Sequence, residues 1–337
     1  MLMLEKLKLY RVAKVLKYMW DSWPNSAFII KQSSQSNRLL VYFDILFWYI
    51  FYGHDFNDYC TFEFWNKSTS EKKNYVSLRR NDVLASKFST REVRKAFLDK
   101  AAFNLKYRNY IHRAWLDTRC GDWQLIESFI IKHSPVIAKP LEDYGGHGIF
   151  KIDAKKSDYD SEILRLKNVI GGGKYYILEE IIENREDIKA IAPGSLNTIR
   201  FVTVVDRNKK LHILASLLRM GNGRALTDNY HDGGMACAID VDKGALTGKA
   251  YGMNCVKYEI HPYSKIKFDG YKLDGYQSCV NIIKEIAMVE PLARYVGWDL
   301  AITPNGIELL EGNIPPGEDI TQIATKKGIW FDMLNWE

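Results

Sequence analysis

The stretch YVGWDLAITPNGIELLEGNIPPG, Tyr295 to Gly317, reads as two short apolar runs joined by Thr-Pro-Asn-Gly, and each run carries one carboxylate, Asp299 and Glu311. Pro304 suits the first corner of a type I turn, Asn305 tolerates the next, and Gly306 supplies the left-handed residue that closes a three-residue hairpin loop. That loop sets Thr303 opposite Ile307 and, further along the ribbon, Asp299 opposite Glu311. Side chains alternate from face to face, so Asn313 joins the two acids one diagonal step away, and Ala301, Leu309 and Ile307 share their face. Opposed side chains sit about 5 Å apart, where two like charges repel unless something positive lies between them. Two carboxylates and an amide oxygen are hard ligands, suited to a magnesium ion that keeps waters and holds substrate phosphates. The plainer alternative is a solvated hairpin face with both acids in water, which fits poorly with so much apolar company. A slip of one residue in the pairing would undo the arrangement.

At 337 residues the chain has room for one large domain or two to three small ones. Its 47% hydrophobic and 26% charged residues are ordinary for a soluble globular protein. A formal net charge of +6 is compatible with anionic substrates such as nucleotides or acidic sugars, and no nucleic-acid-binding motif accompanies it. The five cysteines, at 60, 120, 237, 255 and 279, lack metal-ligand spacing and read as reduced thiols of a cytoplasmic protein. The apolar run Leu39–Tyr52 is interrupted by Asp44 and falls short of the roughly 20 residues that a membrane span needs, so it reads as a buried aromatic helix. Residues 1–20 lack a small-residue cleavage site and form an amphipathic basic helix, with Leu4, Leu7, Val15 and Met19 set against Lys6, Lys8, Lys14 and Lys17. Such a helix could rest peripherally on an anionic membrane, although surface helices of soluble enzymes look alike.

Residues 1 to about 90 are helical by period and rich in rings. A helix is expected over STREVRKAFLDKAAFNLKY, with Ser89 as cap and Glu92 as its capping-box partner. From Pro135 onward β patterns dominate: PVIAK, GIFKI, KYYILEEII, TIRFVTVVD, KLHILASLLRM, MACAIDVD and the acid-bearing hairpin. One strong helix, YQSCVNIIKEIAMVEPLARYV, interrupts them, and Pro291 marks its kink or break. The order points to an α+β protein with antiparallel sheets.

A polyphosphate beside a magnesium ion needs cations and backbone donors. PVIAKPLEDYGGHGIFKI places Lys139 at the end of a strand, and Gly145, Gly146 and Gly148 form a turn into the next, letting backbone N–H groups approach phosphate oxygens. A strand and not a helix follows, so this is neither a Walker A loop nor a dinucleotide fingerprint. By itself the glycine cluster also suits a plain hairpin turn, with His147 a turn residue. The strand ending in Glu179, Glu180, Ile181 and Ile182 could read an adenine edge.

Taken in order, Lys100 in FLDKAAF, Lys139 in VIAKP, the GGHG loop, LEEII, Asp299 in GWDLAI and Glu311-Gly312-Asn313 resemble the ATP-grasp superfamily. The words SLNTIRFVT, DNYHDGG and YVGWDLAITPNGIELLEGN resemble one branch, the sugar-transfer-associated ATP-grasp family, related to α-L-glutamate ligases, over roughly residues 60 to 325. The resemblance implies a helical, aromatic-rich N-terminal region (1–92), a lid and central subdomain with the glycine-rich loop (93–185), and a C-terminal subdomain with the metal site (186–337). It implies ATP and Mg2+ as cofactors. Lys100 and Lys139 would hold the α- and β-phosphates, and Gly145 to Gly148, with His147 among them, would close over the triphosphate. Glu179, Glu180 and Ile181 would form the adenine hinge, acting through the main chain. Asp187 would be the ribose acid, with Glu183 or Glu186 as alternatives. Asp299, Glu311 and Asn313 would be the metal ligands, Arg200 and Arg219 would stabilise the transferring phosphoryl group, and Asp228, Asn229, Gly233 and Gly234 would form a substrate-side loop.

The expected activity is a carboxylate–amine ligase working through an acyl phosphate. Its substrates would be a small-molecule carboxylate and amine, plausibly on a surface-polysaccharide or glycolipid precursor or a peptide. A kinase of a sugar or alcohol hydroxyl, with Asp228 or Asp232 as base, is the alternative on the same site. A nucleotide-binding module without catalysis is a third reading, disfavoured by the intact acids and lysines.

Overall fold

The computed structural model describes residues 2–33, 35, 37–142, 148–222, 233–253 and 256–337, with the side chains of 2–12 and 32 left aside. The N-terminal third is helical: α1 (Leu2–Gln32), α2 (Arg38–Phe47), a π-helical turn Trp48–Tyr52, α3 (Phe56–Thr61), α4 (Thr69–Asn74) and α5 (Leu78–Phe88). The segment expected as one helix after Ser89 is two, α6 (Arg91–Leu98) and α7 (Lys100–Lys106). Thr90, not Ser89, caps α6 by accepting from Val93 N–H, and Ser89 instead bridges to Ala293. The break falls at Asp99, whose carboxylate accepts from Ala101 and Ala102 N–H at 3.0 Å and so starts a second helix.

A four-stranded antiparallel sheet follows, built from β1 (Trp115–Asp117), β2 (Val136–Pro140), β3 (Phe150–Ile152) and β4 (Tyr176–Glu180) in the order β1-β4-β2-β3. The connecting helices α8 (Trp123–His133) and α9 (Tyr159–Gly171) cover one face through Ile126, Ile130, Ile163 and Leu166. Period-two alternation sends Val136, Ala138, Tyr176 and Leu178 into that core and leaves Lys139 and Glu179 on the other face.

After α10 (Glu186–Ile191) come β5 (Thr198–Val205), β6 (Leu211–Met220), β7 (Met235–Asp240), β8 (Ala245–Gly252) and β9 (Lys257–Tyr258). Then follow α11 (Tyr276–Ile286), β10 (Tyr295–Thr303), β11 (Gly306–Asn313), α12 (Glu318–Thr325) and α13 (Trp330–Trp336). The seven strands form one antiparallel sheet, β11-β10-β5-β6-β7-β8-β9, with β11 at an edge. Helix α11 ends before Pro291, as its missing N–H requires. Helices α8, α9, α10, α12 and α13 and strands β1, β8 and β9 were not expected. The helices are short or weakly patterned, β1 and β9 have three residues or fewer, and β8 contains Gly248.

The run Leu39–Tyr52 is helical but not buried as expected. Val41, Ile45, Leu46 and Trp48 face the core, while Leu40, Phe43 and Phe51 are more than half exposed. Nor are all the cysteines reduced: Cys60 is disulfide-bonded, its partner lying outside the described residues, whereas Cys120, Cys237 and Cys279 are free. No helix among the described residues is long and apolar enough to cross a membrane.

The N-terminal helices pack on one face of the large sheet at Leu217 and Ala236 and on α12 at Ile320 and Ile323. Where they meet α12, buried acids gather. Burial first, then the charges of Asp319 and Asp55, push Glu318 up to about 7, and burial raises Asp58 well above the usual carboxylate range. An acid raised in the fold stabilises it fully below its unfolded pKa, near 4.5, and that contribution is lost as pH rises through the folded value. Urea unfolding should therefore show stability falling between pH 4.5 and about 7, by at most about 1.4 kcal/mol per unit from this group. Glu318→Gln should flatten that slope, and an unchanged profile would refute the assignment.

Candidate active site

The acid ribbon pairs Asp299 with Glu311, but by a different route from the expected one. Thr303 faces Gly306, not Ile307, so the turn holds two residues, and the pairing regains the expected register through a bulge next to Asp299 and Leu300 that leaves Leu310 unpaired. The bulge also reassigns the faces. Leu309 and Ile307 lie opposite Leu300 and Ile302 in the core beneath α11, and Glu308, opposite Ala301, is buried. Gly297 faces Asn313, whose Nδ2 donates to Glu311 Oε1 at 3.0 Å.

Asp299 is buried and holds two arginines. Arg200, its neighbour across β5, donates through Nε to Oδ1 and through Nη2 to Oδ2 at 2.6 Å, and Arg219 on β6 donates through Nη1 to Oδ2 at 2.9 Å. Burial alone would raise this carboxyl; Arg200 and then Arg219 outweigh it and bring the pKa down to about 2. Glu311 opens onto the cleft, yet the protein packed around its carboxyl, and then the charge of Asp299, push it upward. The two acids are within hydrogen-bonding reach of each other.

The donor set fits a magnesium ion. A pair of acids that repel unless a proton or cation lies between them stands next to an amide, and such hard oxygens suit Mg2+. Three N–H groups use three of the roughly four lone pairs of Asp299, leaving it one to offer. Among the described residues no group of three or more His, Cys, Asp or Glu could hold a metal.

Across from the edge strand β11 stands the face of the four-stranded sheet that carries Lys139 and Glu179. A cleft between them is lined by Lys100, Asn104, Lys139, Glu179, Glu311 and Asn313, with Phe97, Phe103 and Ile314 as its apolar wall. Gly312 lets that wall close in, since a Cβ there would lie 2.8 Å from both Phe97 and Phe103. Lys100 opens α7 and donates Nζ to Pro140 O at 2.9 Å. Lys139 Nζ pairs with Glu179 Oε2 at 2.6 Å.

Glu179 departs from its expected role. Its main chain lies inside the sheet, in register between Trp115 and Ile137, and its buried side chain accepts from Asn104, Lys139 and Arg113. Burial would raise its pKa; Arg113 and then Lys139 hold it well below the carboxylate range. Ile181, one residue past β4, is exposed, and Glu180 Oε2 accepts from Ala114 N–H at 3.1 Å. Asp187 does not line the cleft. Arg185, just before α10, engages it through Nε and Nη2 at 2.7 and 2.8 Å, and Lys189 faces Glu183 and Glu186 at 2.8 and 3.8 Å. Gly148 is left-handed at φ 72°, where a Cβ would meet the Pro140 ring at 3.2 Å; Gly145, Gly146 and His147 lie outside the described residues. So do Asp228, Asn229 and Asp232, while Gly233, at φ 90°, accepts from Asn222 Nδ2 at 2.7 Å, and Gly234 is buried.

Sequence reasoning missed Arg113, the residue that joins the two sheets. It is buried, it grips Glu179 on β4 and Glu308 on β11, and it donates to the carbonyls of Leu309 (2.7 Å) and Leu310 (3.1 Å) at the bulge. An unpaired edge carbonyl needs such a donor. YIHRAWLD carries no local signal of it.

Two sheets meeting in this way, cations on one lip and acids on the other, define the ATP-grasp class. The family model described as sugar-transfer associated ATP-grasp matches residues 79–335, and the chain belongs to that family. No curated protein matches it by sequence. Similar solved structures include the ATP-grasp ligase PsnB complexed with a phosphomimetic variant of minimal precursor, Mg and ADP (12% identity, 76% of this chain and 67% of that one, TM-score 0.41). Others are D-alanyl-alanine synthetase A from Vibrio cholerae (12%, 70% and 60%, TM-score 0.45) and N5-carboxyaminoimidazole synthetase from Staphylococcus aureus (10%, 76% and 59%, TM-score 0.44). The chain thus spans about three-fifths of the length of the last two.

Proposed function

We propose that the chain is an ATP- and Mg2+-dependent carboxylate–amine ligase that works through an acyl phosphate. The observation that carries this reading is the two-lipped cleft: Lys100 and Lys139 face Glu311 and Asn313, and Arg200 and Arg219 are clamped to Asp299 beside them. A carboxylate oxygen of the substrate attacks the γ-phosphorus, the bond to ADP breaks, and an amine then attacks the acyl carbon and expels inorganic phosphate, losing a proton. The lysines take the polyphosphate, with Lys139 exchanging its contact to Glu179 for a phosphate oxygen. Arg200 and Arg219, held in place by a buried acid, present N–H donors where charge builds on the phosphoryl group. Glu311, Asn313 and the remaining lone pair of Asp299 would hold magnesium, which when bound neutralises phosphate charge. No protein nucleophile is needed, and burial pushes the thiols of Cys237 and Cys279 up to about 12.

The family's description favours an acceptor on a sugar-bearing precursor, with surface-polysaccharide or peptide modification as the setting. Hydroxylamine tests the chemistry. Incubated with ATP, Mg2+ and candidate carboxylates, the enzyme should yield a hydroxamate together with ADP and inorganic phosphate. ADP with a phosphorylated hydroxyl and no released phosphate would overturn the ligase reading in favour of a kinase.

A further inference from the structure

We propose that the helical hairpin α1–α2 is a docking platform for an anionic lipid bilayer, lying in its interface. The two helices run antiparallel: Tyr18 stacks on Tyr49 at 3.5 Å, Trp23 meets Tyr42 edge-on, and Arg38 sits 3.9 Å over the Trp23 ring. The outer face of α2 and the π-helical turn after it exposes Leu39, Leu40, Phe43, Phe47, Ile50 and Phe51, a continuous apolar stripe. It carries no charge. Asp44, the one residue of 39–52 that is charged at neutral pH, turns inward to Lys72 (2.6 Å), Tyr59 (2.7 Å) and the Trp48 ring N–H (2.9 Å).

Helix α1 extends the surface with Leu16, Trp20 and Trp23, and Trp20 is 82% exposed. Leaving so many large apolar groups in water is costly, at about 25 cal/mol for each Å2 that could be covered. The charges beside the stripe identify the cover. Over residues 13–31, Lys14, Lys17 and Lys31 stand exposed against one acid, Asp21, and the sequence before them adds Lys6, Lys8 and Arg11 against Glu5. Rings and aliphatic groups on one side, with lysines along the margin, match the acyl–headgroup boundary of a bilayer containing acidic lipids. Since no helix among the described residues can cross a membrane, the hairpin would lie on the surface and not span. Docking there requires neither nucleotide nor catalysis.

Co-sedimentation of the full chain with vesicles tests this, with no ATP present, so that it stands or falls apart from the ligase reading. The chain should pellet with phosphatidylcholine vesicles containing phosphatidylserine at least about tenfold more strongly than with phosphatidylcholine alone. Phe43→Glu with Phe51→Glu should weaken that binding by about tenfold or more. Lys14→Glu with Lys17→Glu should remove the preference for the acidic lipid. Both pairs are exposed, and an unchanged melting temperature would show that the fold is intact. Failure to pellet with either vesicle, or equal pelleting with both, overturns the proposal. So does a dimer in solution that Phe43→Glu dissociates while vesicles bind nothing, which would assign the stripe to a second copy of the chain.

Discussion

Replacing Asp299 by asparagine should lower turnover at saturating ATP by about a thousandfold or more, the loss expected when a group that organises transition-state charge is removed. The variant keeps the shape of the side chain but loses the charge that holds Arg200 and Arg219 and helps to bind the cation. Both arginines are engaged by Asp299, so one substitution disturbs the metal side and the phosphoryl side together. It also leaves buried positive charge less compensated, so melting must be followed in parallel. Glu311→Gln separates the two effects. Glu311 opens onto the cleft beside the like charge of Asp299, a repulsion that glutamine removes; the variant should melt close to the parent while losing magnesium-dependent turnover. Full activity in Glu311→Gln, measured over a magnesium titration, would remove the acid pair from the site.

The second large effect concerns Arg113, which contributes nothing to the proposed chemistry and much to the frame. Arg113→Met leaves Glu179 and Glu308 buried without their main cation and frees the carbonyls at the β11 bulge. Removing one member of a buried ion pair costs about 3–5 kcal/mol. For a chain of this size that is a fall of roughly 4–7 °C in Tm. Lysine should not rescue it, because a point charge cannot serve two carboxylates and two carbonyls as a planar fork does. Calorimetry of Arg113→Met and Arg113→Lys decides the matter: melting within about 2 °C of the parent would show that the strut carries little.

Arg113 also marks the limit of reading along the chain. The Asp299–Glu311 pairing was legible because turn residues and period-two alternation are local, although the structure reached it through a two-residue turn and a bulge where a three-residue loop was expected. The correct pair emerged with the wrong faces for Leu309 and Ile307. Lys139 and Glu179 were singled out as site residues, but their contact to each other was not, since it depends on β4 lying beside β2 across a gap filled by β3 and α9. Arg200 was placed near the cleft; that Arg200 and Arg219 both serve Asp299 follows only from β5 standing between β10 and β6.

Periodicity along a chain states which side of an element a residue occupies, and local rules of turn and cap state where elements stop. By these means the sequence by itself determined an α+β architecture, the acids opposed on one ribbon and the helical start. What lies across from each face is decided by non-local pairing, where the partners come from distant parts of the chain. Tertiary structure alone therefore set the Arg113 strut between the sheets, the ion pairs that occupy Asp187 and Glu179, and the outward apolar face of α2. That last case is the plainest, because a stripe of Leu and Phe has the same period whether it meets a protein core or open solvent.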